Sequence, residues 1–233
     1  MSQFADGAWT KPSVASFSGE FSDIDPFITP DGRTLYFSSI RPVGGATRGD
    51  IDLWKVERAG EGWGEPIHLG PEVNSPHDEL YPSVSSDGTI YFASGPPFPQ
   101  PGKHYDIYAA ARNGNGFAGR RALSSAVNTV PAVGDPHLQA SWEFNPEVSA
   151  DGTILLFTSL RPGGAGLGDL YVSKRVEGDW SPARNLGPLV NTALDEYHPT
   201  LSRSGKSLYF VRRGSADGNF YHVATEALDS LRR

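Results

Sequence analysis

NPEVSADGTILLFTSLRP, residues 145–162, encodes a strand, a tight turn and a second strand. Apolar and small polar residues alternate up to Asp151-Gly152, a pair suited to a two-residue hairpin, and the β-favouring run Ile154-Leu155-Leu156-Phe157 follows. The unit recurs as DPFITPDGRTLYFSSIRP (25–42), YPSVSSDGTIYFASGPP (81–97) and HPTLSRSGKSLYFVRRG (198–214). Ser204-Gly205 is the weakest of the four turns, since it lacks the Asp.

Each copy is followed by a third strand-like piece: DIDLWKVER (50–58), YDIYAAAR (105–112), GDLYVSKR (168–175) and GNFYHVAT (218–225). An aromatic then opens a further segment. Trp9, Trp63, Phe117 and Trp180 are spaced 54, 54 and 63 residues apart. Four short strands repeated at this period predict an all-β chain, a four-bladed β-propeller with four antiparallel strands per blade. The phase predicts one domain, 1–233, with repeats near 9–62, 63–116, 117–179 and 180–233. It also predicts that the N-terminal strand around Trp9 completes the last blade, closes the ring and removes two exposed edges.

Composition narrows the function. Twenty basic against 27 acidic residues give a net charge of −7, a sign that repels phosphate backbones and argues against nucleic acid. Hydrophobic residues make up 38% of the chain, and nothing resembles a spanning helix, so no membrane insertion is expected. The 27 Gly and 19 Pro belong to a turn-rich protein without long helices. With no Cys, disulfides, thiolate nucleophiles and Cys-type zinc sites are excluded. The opening MSQFADGAWT has neither the basic nor the apolar region of a signal peptide. No G-x-S-x-G elbow or P-loop occurs, and the Gly-rich GGAGLGD (163–169) leads into a strand rather than a helix.

The repeat resembles the TolB-like β-propeller family, related to the WD repeat, in the pattern P-x-(V/L/I)-S-x-D-G-x-x-(L/I)-Y-F-x-S-x-R followed by (D/N)-(I/L/F)-Y. The likeness covers nearly the whole chain. Ser204 in the turn and the missing Ser-x-Arg of the second repeat depart from it. Family resemblance implies a periplasmic or extracellular setting, and roles that range from binding platform to assembly factor, peptidase gate and polysaccharide lyase.

Aligned on Pro26, Pro82, Pro146 and Pro199, an acid stands three residues before each: Asp23, Glu79, Glu143 and Glu196. The resemblance places them near the mouth of the central channel, where a ring of carboxylates would suit a hard cation such as Ca²⁺ or Mg²⁺. The competing reading is a blade-building device. Arg41 and Arg161 follow their acids by 18 residues, with Arg212 or Arg213 near the same place in the last repeat, and each could pair with its acid across two strands. Gly95-Pro96-Pro97 replaces that Arg in the second repeat, which leaves Glu79, beside Asp78 and His77, as the acid without a partner unless Lys103 or His104 serves.

The residues just before the prolines differ: Asp25, Tyr81, Asn145 and His198. Variation on a constant scaffold is what a recognition surface would show. With Asp78, Glu79, Trp142, Phe144 and Tyr197 these residues make up an acidic, aromatic ligand-binding mouth, fit for a small molecule, saccharide or peptide. The third repeat is longer by about ten residues, and its extra loop, Asn128 to Trp142, brings Asp135, His137 and Gln139 to the same mouth. Glu79, His137 and His198 are the candidate catalytic groups, and His77, His137 and His198 a candidate transition-metal trio. Asp25, Glu79 and Glu196 are the candidates for a paired-carboxylate mechanism. The expectation is a monomeric ligand- or partner-binding propeller. The alternatives are a glycoside hydrolase or metal-assisted lyase acting at the same mouth, and a structural propeller of a cell-envelope assembly.

Overall fold

A computed structural model describes the chain apart from residues 3, 61, 98–103, 131–141, 215, 216 and 233. Nearly all its regular structure is strand, arranged as a four-bladed β-propeller. Among the described residues, helix is confined to one 3-10 turn, Thr225–Ala227, and the short Asp229–Arg232. No helix among the described residues is long and apolar enough to cross a membrane.

Blade one comprises Asp23–Ile28, Thr34–Ser39, Asp52–Ala59 and the two-residue Ile67–His68, paired antiparallel in that order. Blade two uses Asp78–Val84, Ile90–Gly95, Asp106–Ala110 and Arg121–Ala122. Blade three uses Glu143–Val148, Ile154–Ser159, Asp169–Val176 and Arg184–Asn185. Blade four has three strands, Asp195–Leu201, Ser207–Arg213 and Gly218–Ala224. The Trp and Phe markers do not lie on the fourth strands. Trp63, Phe117 and Trp180 sit on the return of a small hairpin that continues from the third strand, opposite Arg58, Arg112 and Arg175.

The first hairpin turn is built alike in each blade. Gly32, Gly88, Gly152 and Gly205 adopt φ of +72°, +84°, +71° and +68°, which only Gly takes without strain. A hydroxyl from Thr29, Ser85 or Ser149 donates to the turn Asp at 2.6 Å, and Ser204 makes a longer 3.2 Å contact with Ser202. That donation holds Asp87 and Asp151 below the usual carboxylate range.

Three apolar clusters glue successive blades. Leu53, Val73, Ile90 and Phe92 join blades one and two; Ile107, Val127, Leu155 and Phe157 join two and three; Leu170, Val190, Leu208 and Phe210 join three and four. Beside each cluster a Val-Asn pair ties the blades together. The N–H groups of Leu53, Ile107 and Leu170 donate to Oδ1 of Asn74, Asn128 and Asn191 at 2.8–2.9 Å, and the same amides donate back to the carbonyls.

The seam between blades four and one is different. The N-terminal strand does not complete the last blade: Phe4–Ala5 pairs with Ala8–Trp9 in a hairpin of its own. The following segment packs on blade one, with the Phe17 ring tilted against Phe37 at 4.9 Å and Ser16 donating to the Trp63 carbonyl. The closure expected from the repeat phase is therefore not made. Phe17-Ser18 stands where the other repeats carry Val-Asn, so the amide that would grip the neighbouring blade is missing. On blade four, Phe220 is 87% exposed and Tyr209 and Tyr221 are also exposed.

Candidate functional site

Each acid before the prolines is held inside its own blade. Arg41 pairs with Asp23 at 2.6 Å, Arg161 with Glu143 at 3.1 Å and Arg212 with Glu196 at 2.6 Å. Glu79 is not without a partner: Arg120 pairs with it, from the hairpin side of blade two. His104 instead lies 3.5 Å from Asp106, and Lys103 falls outside the described residues. Burial raises the Glu79 and Glu143 carboxyls, opposed by surrounding hydroxyl, backbone and Arg donors. Glu79 accepts from Ser75 N–H (3.0 Å), Ser75 Oγ (2.7 Å) and Ser94 Oγ (2.9 Å); Glu143 is matched by Thr129 and Ser159. All four guanidiniums also lie over the aromatic pair of the second and third strands, as Arg120 does 4.3 Å from Tyr108 and Arg161 4.7 Å from Tyr171. These acids and arginines are clamps that join the strands of one blade. No three His, Asp or Glu side chains among the described residues converge as a metal site, so the expected carboxylate ring is not formed there.

The channel chemistry sits one step further along the inner strands. Each loses register with its neighbour at the same place, between Ile24 and Phe27, Leu80 and Ser83, Phe144 and Glu147, and Tyr197 and Thr200. The residues inside these bulges are Asp25, Tyr81, Asn145 and His198, with φ of +53°, +57°, +50° and +52°. A following Pro disfavours the right-handed helical region, and a bulge needs one unusual backbone conformation. Asp, Asn and His tolerate left-handed φ, whereas Tyr81 is strained by roughly 1–3 kcal/mol.

The bulges turn these four side chains onto one axial pocket of about 230 Å³. Tyr81 and His198, from opposite blades, meet edge to face with centroids 5.3 Å apart. The Asn145 amide donates to His198 Nδ1 at 3.0 Å, and Asn145 Oδ1 accepts from His198 N–H at 3.3 Å. His198 Nδ1 is thus an acceptor and its proton sits on Nε2. Burial lowers the His198 pKa, which favours the neutral ring.

Two carboxyls come from opposite walls. Burial pushes Asp25 up to about 7, against the Tyr81 backbone N–H, and both its Oδ2 and the nearby Ser38 Oγ are buried without a hydrogen-bond partner. Glu147 is likewise raised by burial to about 7, while Leu201 N–H donates to its Oε1 at 3.0 Å. Glu147 stands where the pocket widens into a cavity of about 800 Å³ between the turns of blades one, three and four.

No protein-family model matches the sequence, and no curated protein matches it. Among solved structures, a TolB-like protein of Agrobacterium tumefaciens is 19% identical with a TM-score of 0.59, over 92% of this chain and 65% of that one. The fold is that of the TolB propellers. TolB of Acinetobacter baumannii is 18% identical with a TM-score of 0.52, over 89% of this chain and 41% of its own. The periplasmic gluconolactonase of Pseudomonas aeruginosa is 17% identical with a TM-score of 0.52, over 96% and 74%. This chain thus spans less than two thirds of either TolB protein.

Of the residues expected at a ligand-binding mouth, this TolB-like framework brings together Asp25, Tyr81, Asn145 and His198. It keeps others apart. Asp78 is buried between blades one and two, accepting from Ile51 N–H and Tyr105 Oη. Trp142 packs edge-on against Tyr105, and Tyr197 borders the pocket through a 5.2 Å contact with His198. His77 is exposed on a turn, and Asp135, His137 and Gln139 lie outside the described residues. Glu147 was missed, although its repeat position holds Phe27, Ser83 and Thr200 elsewhere, so its acid was the visible signal.

Proposed function

We propose that this propeller is a ligand-binding protein whose site is the axial pocket around Asp25, Tyr81, Asn145 and His198. One observation carries the reading: four left-handed bulge residues, different in every blade, line a single pocket in which a buried carboxylate oxygen has no partner. Strained backbone and an unsatisfied buried acceptor both cost stability, and a ligand that meets the acceptor offsets that cost. A periplasmic setting belongs to the same reading, supported by likeness in fold to a periplasmic gluconolactonase.

The test is a thermal-unfolding screen against small polar molecules. A ligand at a hundred times its dissociation constant adds about 2.7 kcal/mol, a clear shift in melting temperature. Tyr81→Asn is expected to abolish the shift while leaving stability within about 1 kcal/mol, because Asn accepts the left-handed backbone and relief of strain compensates for lost packing. A shift that survives both Tyr81→Asn and Asp25→Asn places the ligand elsewhere and ends the proposal.

A catalytic variant of this reading draws on the two carboxyls held near neutrality beside a neutral His198, the arrangement that general acid–base chemistry needs. It predicts turnover of a bound lactone or glycoside that Glu147→Gln lowers by at least a hundredfold. Turnover unchanged in that variant removes it.

A further inference from the structure

Resting on the binding role proposed for this pocket, we infer the class of its ligand: a small organic cation, a protonated amine with an apolar body, held between the carboxylates of Asp25 and Glu147 against the rings of Tyr81 and His198. Charge is the first ground. Asp25 and Glu147 are the two acids among the lining residues, and neither Lys nor Arg lines the pocket. Neither carboxyl has an ion-pair partner among the described residues, in contrast to the clamped acids a few residues away. An anion would be repelled, and a cation entering between the two acids is attracted from both walls.

The second ground is which polar atoms remain unengaged. Asn145 is occupied on both sides, by His198 and by Thr158 Oγ1 at 3.3 Å. The acceptor held out of water and left unmet is Asp25 Oδ2, which calls for a donor. A neutral polyol would also meet His198 Nε2–H and the Tyr81 hydroxyl, so the choice of a cation rests on the two acids and on a lining without Lys or Arg. A bare metal ion needs at least three converging ligands, which the described residues do not provide.

The walls supply the third ground. Pro26, Phe27, Pro82 and Pro146 give the pocket apolar sides, and the Tyr81 face suits an ammonium carried on an aliphatic or aromatic body. The axial part of the space, about 230 Å³, suits the head of a small amine, and it opens at Glu147 into the larger cavity.

Protons are linked to this binding. The titratable groups facing the pocket are Asp25 from blade one, Tyr81 from blade two, Glu147 from blade three and His198 from blade four. Burial raises both carboxyls to about 7, lowers His198 and raises Tyr81 far above neutrality. The carboxyls, raised to about 7, therefore change charge between pH 6 and 8. A cation prefers them ionised, so its binding releases protons.

The experiment is calorimetric titration of the full chain with propylammonium, piperidinium and benzylammonium chlorides at pH 6 and pH 8, at constant ionic strength. Glycerol, inositol, glucose, MgCl₂ and CaCl₂ are run beside them. The expected result is ammonium binding that tightens about tenfold from pH 6 to pH 8, the change in ionised fraction of one carboxyl titrating near 7. The heat should depend on the ionisation enthalpy of the buffer, which reports the released protons, and Asp25→Asn should weaken binding at least tenfold. If that variant does not fold, the wild-type pH slope and buffer dependence decide the matter alone. Neutral compounds that bind with no pH slope, while the ammoniums do not, overturn the cation class and leave the binding pocket standing. Binding of Mg²⁺ or Ca²⁺ without the ammoniums overturns it in the same way. Silence from every probe overturns the cation class, and the wider binding role then falls only if the unfolding screen is silent too.

Discussion

Arg120→Ala is expected to lower the unfolding free energy by about 3–5 kcal/mol, a large part of the stability of a chain this size. Glu79 is fully buried, and Arg120 is its cationic partner. Removing the guanidinium leaves that carboxyl in low dielectric with hydroxyl and amide donors only. It also removes the contacts over Phe92 and Tyr108 and the bonds to Ser94 and the Val73 carbonyl. Arg120→Lys should recover only part of the loss, since an ammonium cannot reach several acceptors at once. The double variant Glu79→Gln/Arg120→Met should cost less than Arg120→Ala, because it leaves no buried charge uncompensated. Arg121→Ala, at an exposed neighbour, should stay within about 0.5 kcal/mol. Urea unfolding at pH 7 measures all four. A loss below 1 kcal/mol for Arg120→Ala would remove the clamp from the account of stability.

The carboxyls of the axial pocket should behave in the opposite way. Asp25→Asn and Glu147→Gln are each expected to stabilise the ligand-free protein at pH 8, by about 2 kcal/mol, which is less than the full shift implies because channel water screens the charge. The sign follows from proton binding. Both groups titrate near 7 in the fold, against ordinary values of 3.8 and 4.5, so between about pH 4 and 7 the folded state holds protons that the unfolded state has lost. Stability therefore falls as pH rises through that window and levels off above it. The amide variants escape this loss. Their advantage should be near nil at pH 3, grow through the window and stay constant above it. Denaturant midpoints across pH 3–9 provide the check, and equal curves for variant and parent would mean the two acids titrate normally. A substitution that strengthens the fold while emptying the site is the mark of residues kept for binding rather than for folding.

The propeller was legible because its information is local and repeated. Turn, β-rich run and Asp-Gly pair recur in fixed order, and the acid–Arg spacing of 18 residues fits Asp23–Arg41 and Glu143–Arg161 because antiparallel pairing returns the second strand to the start of the first. Arg120 was harder to see, since its clamp crosses 41 positions from another strand. The hint was compensation: the one repeat that loses its Arg after the second strand gains one near the fourth. The mouth residues were half legible. Sequence marked Asp25, Tyr81, Asn145 and His198 by their variety, but nothing local announces that a bulge rotates them to the axis and leaves Asp78 and Glu79 inside the walls. Where the closing strand goes unpaired the repeats also differ, Phe17-Ser18 standing in place of Val-Asn, a difference visible only when the repeats are compared.

That replacement has a mechanical consequence. Three of the four junctions are riveted by an Asn amide and an apolar cluster shared between blades, while the described residues show neither rivet at the junction of blades four and one. A hoop with one unfastened joint behaves as a clasp: strain anywhere on its rim is relieved there first. Asp25 and His198 stand on the two jaws of that clasp, and Tyr81 and Asn145 stay fixed on the continuous arc. A guest that touched both Asp25 and His198 would bridge the joint that the protein's own Asn amides leave unfastened.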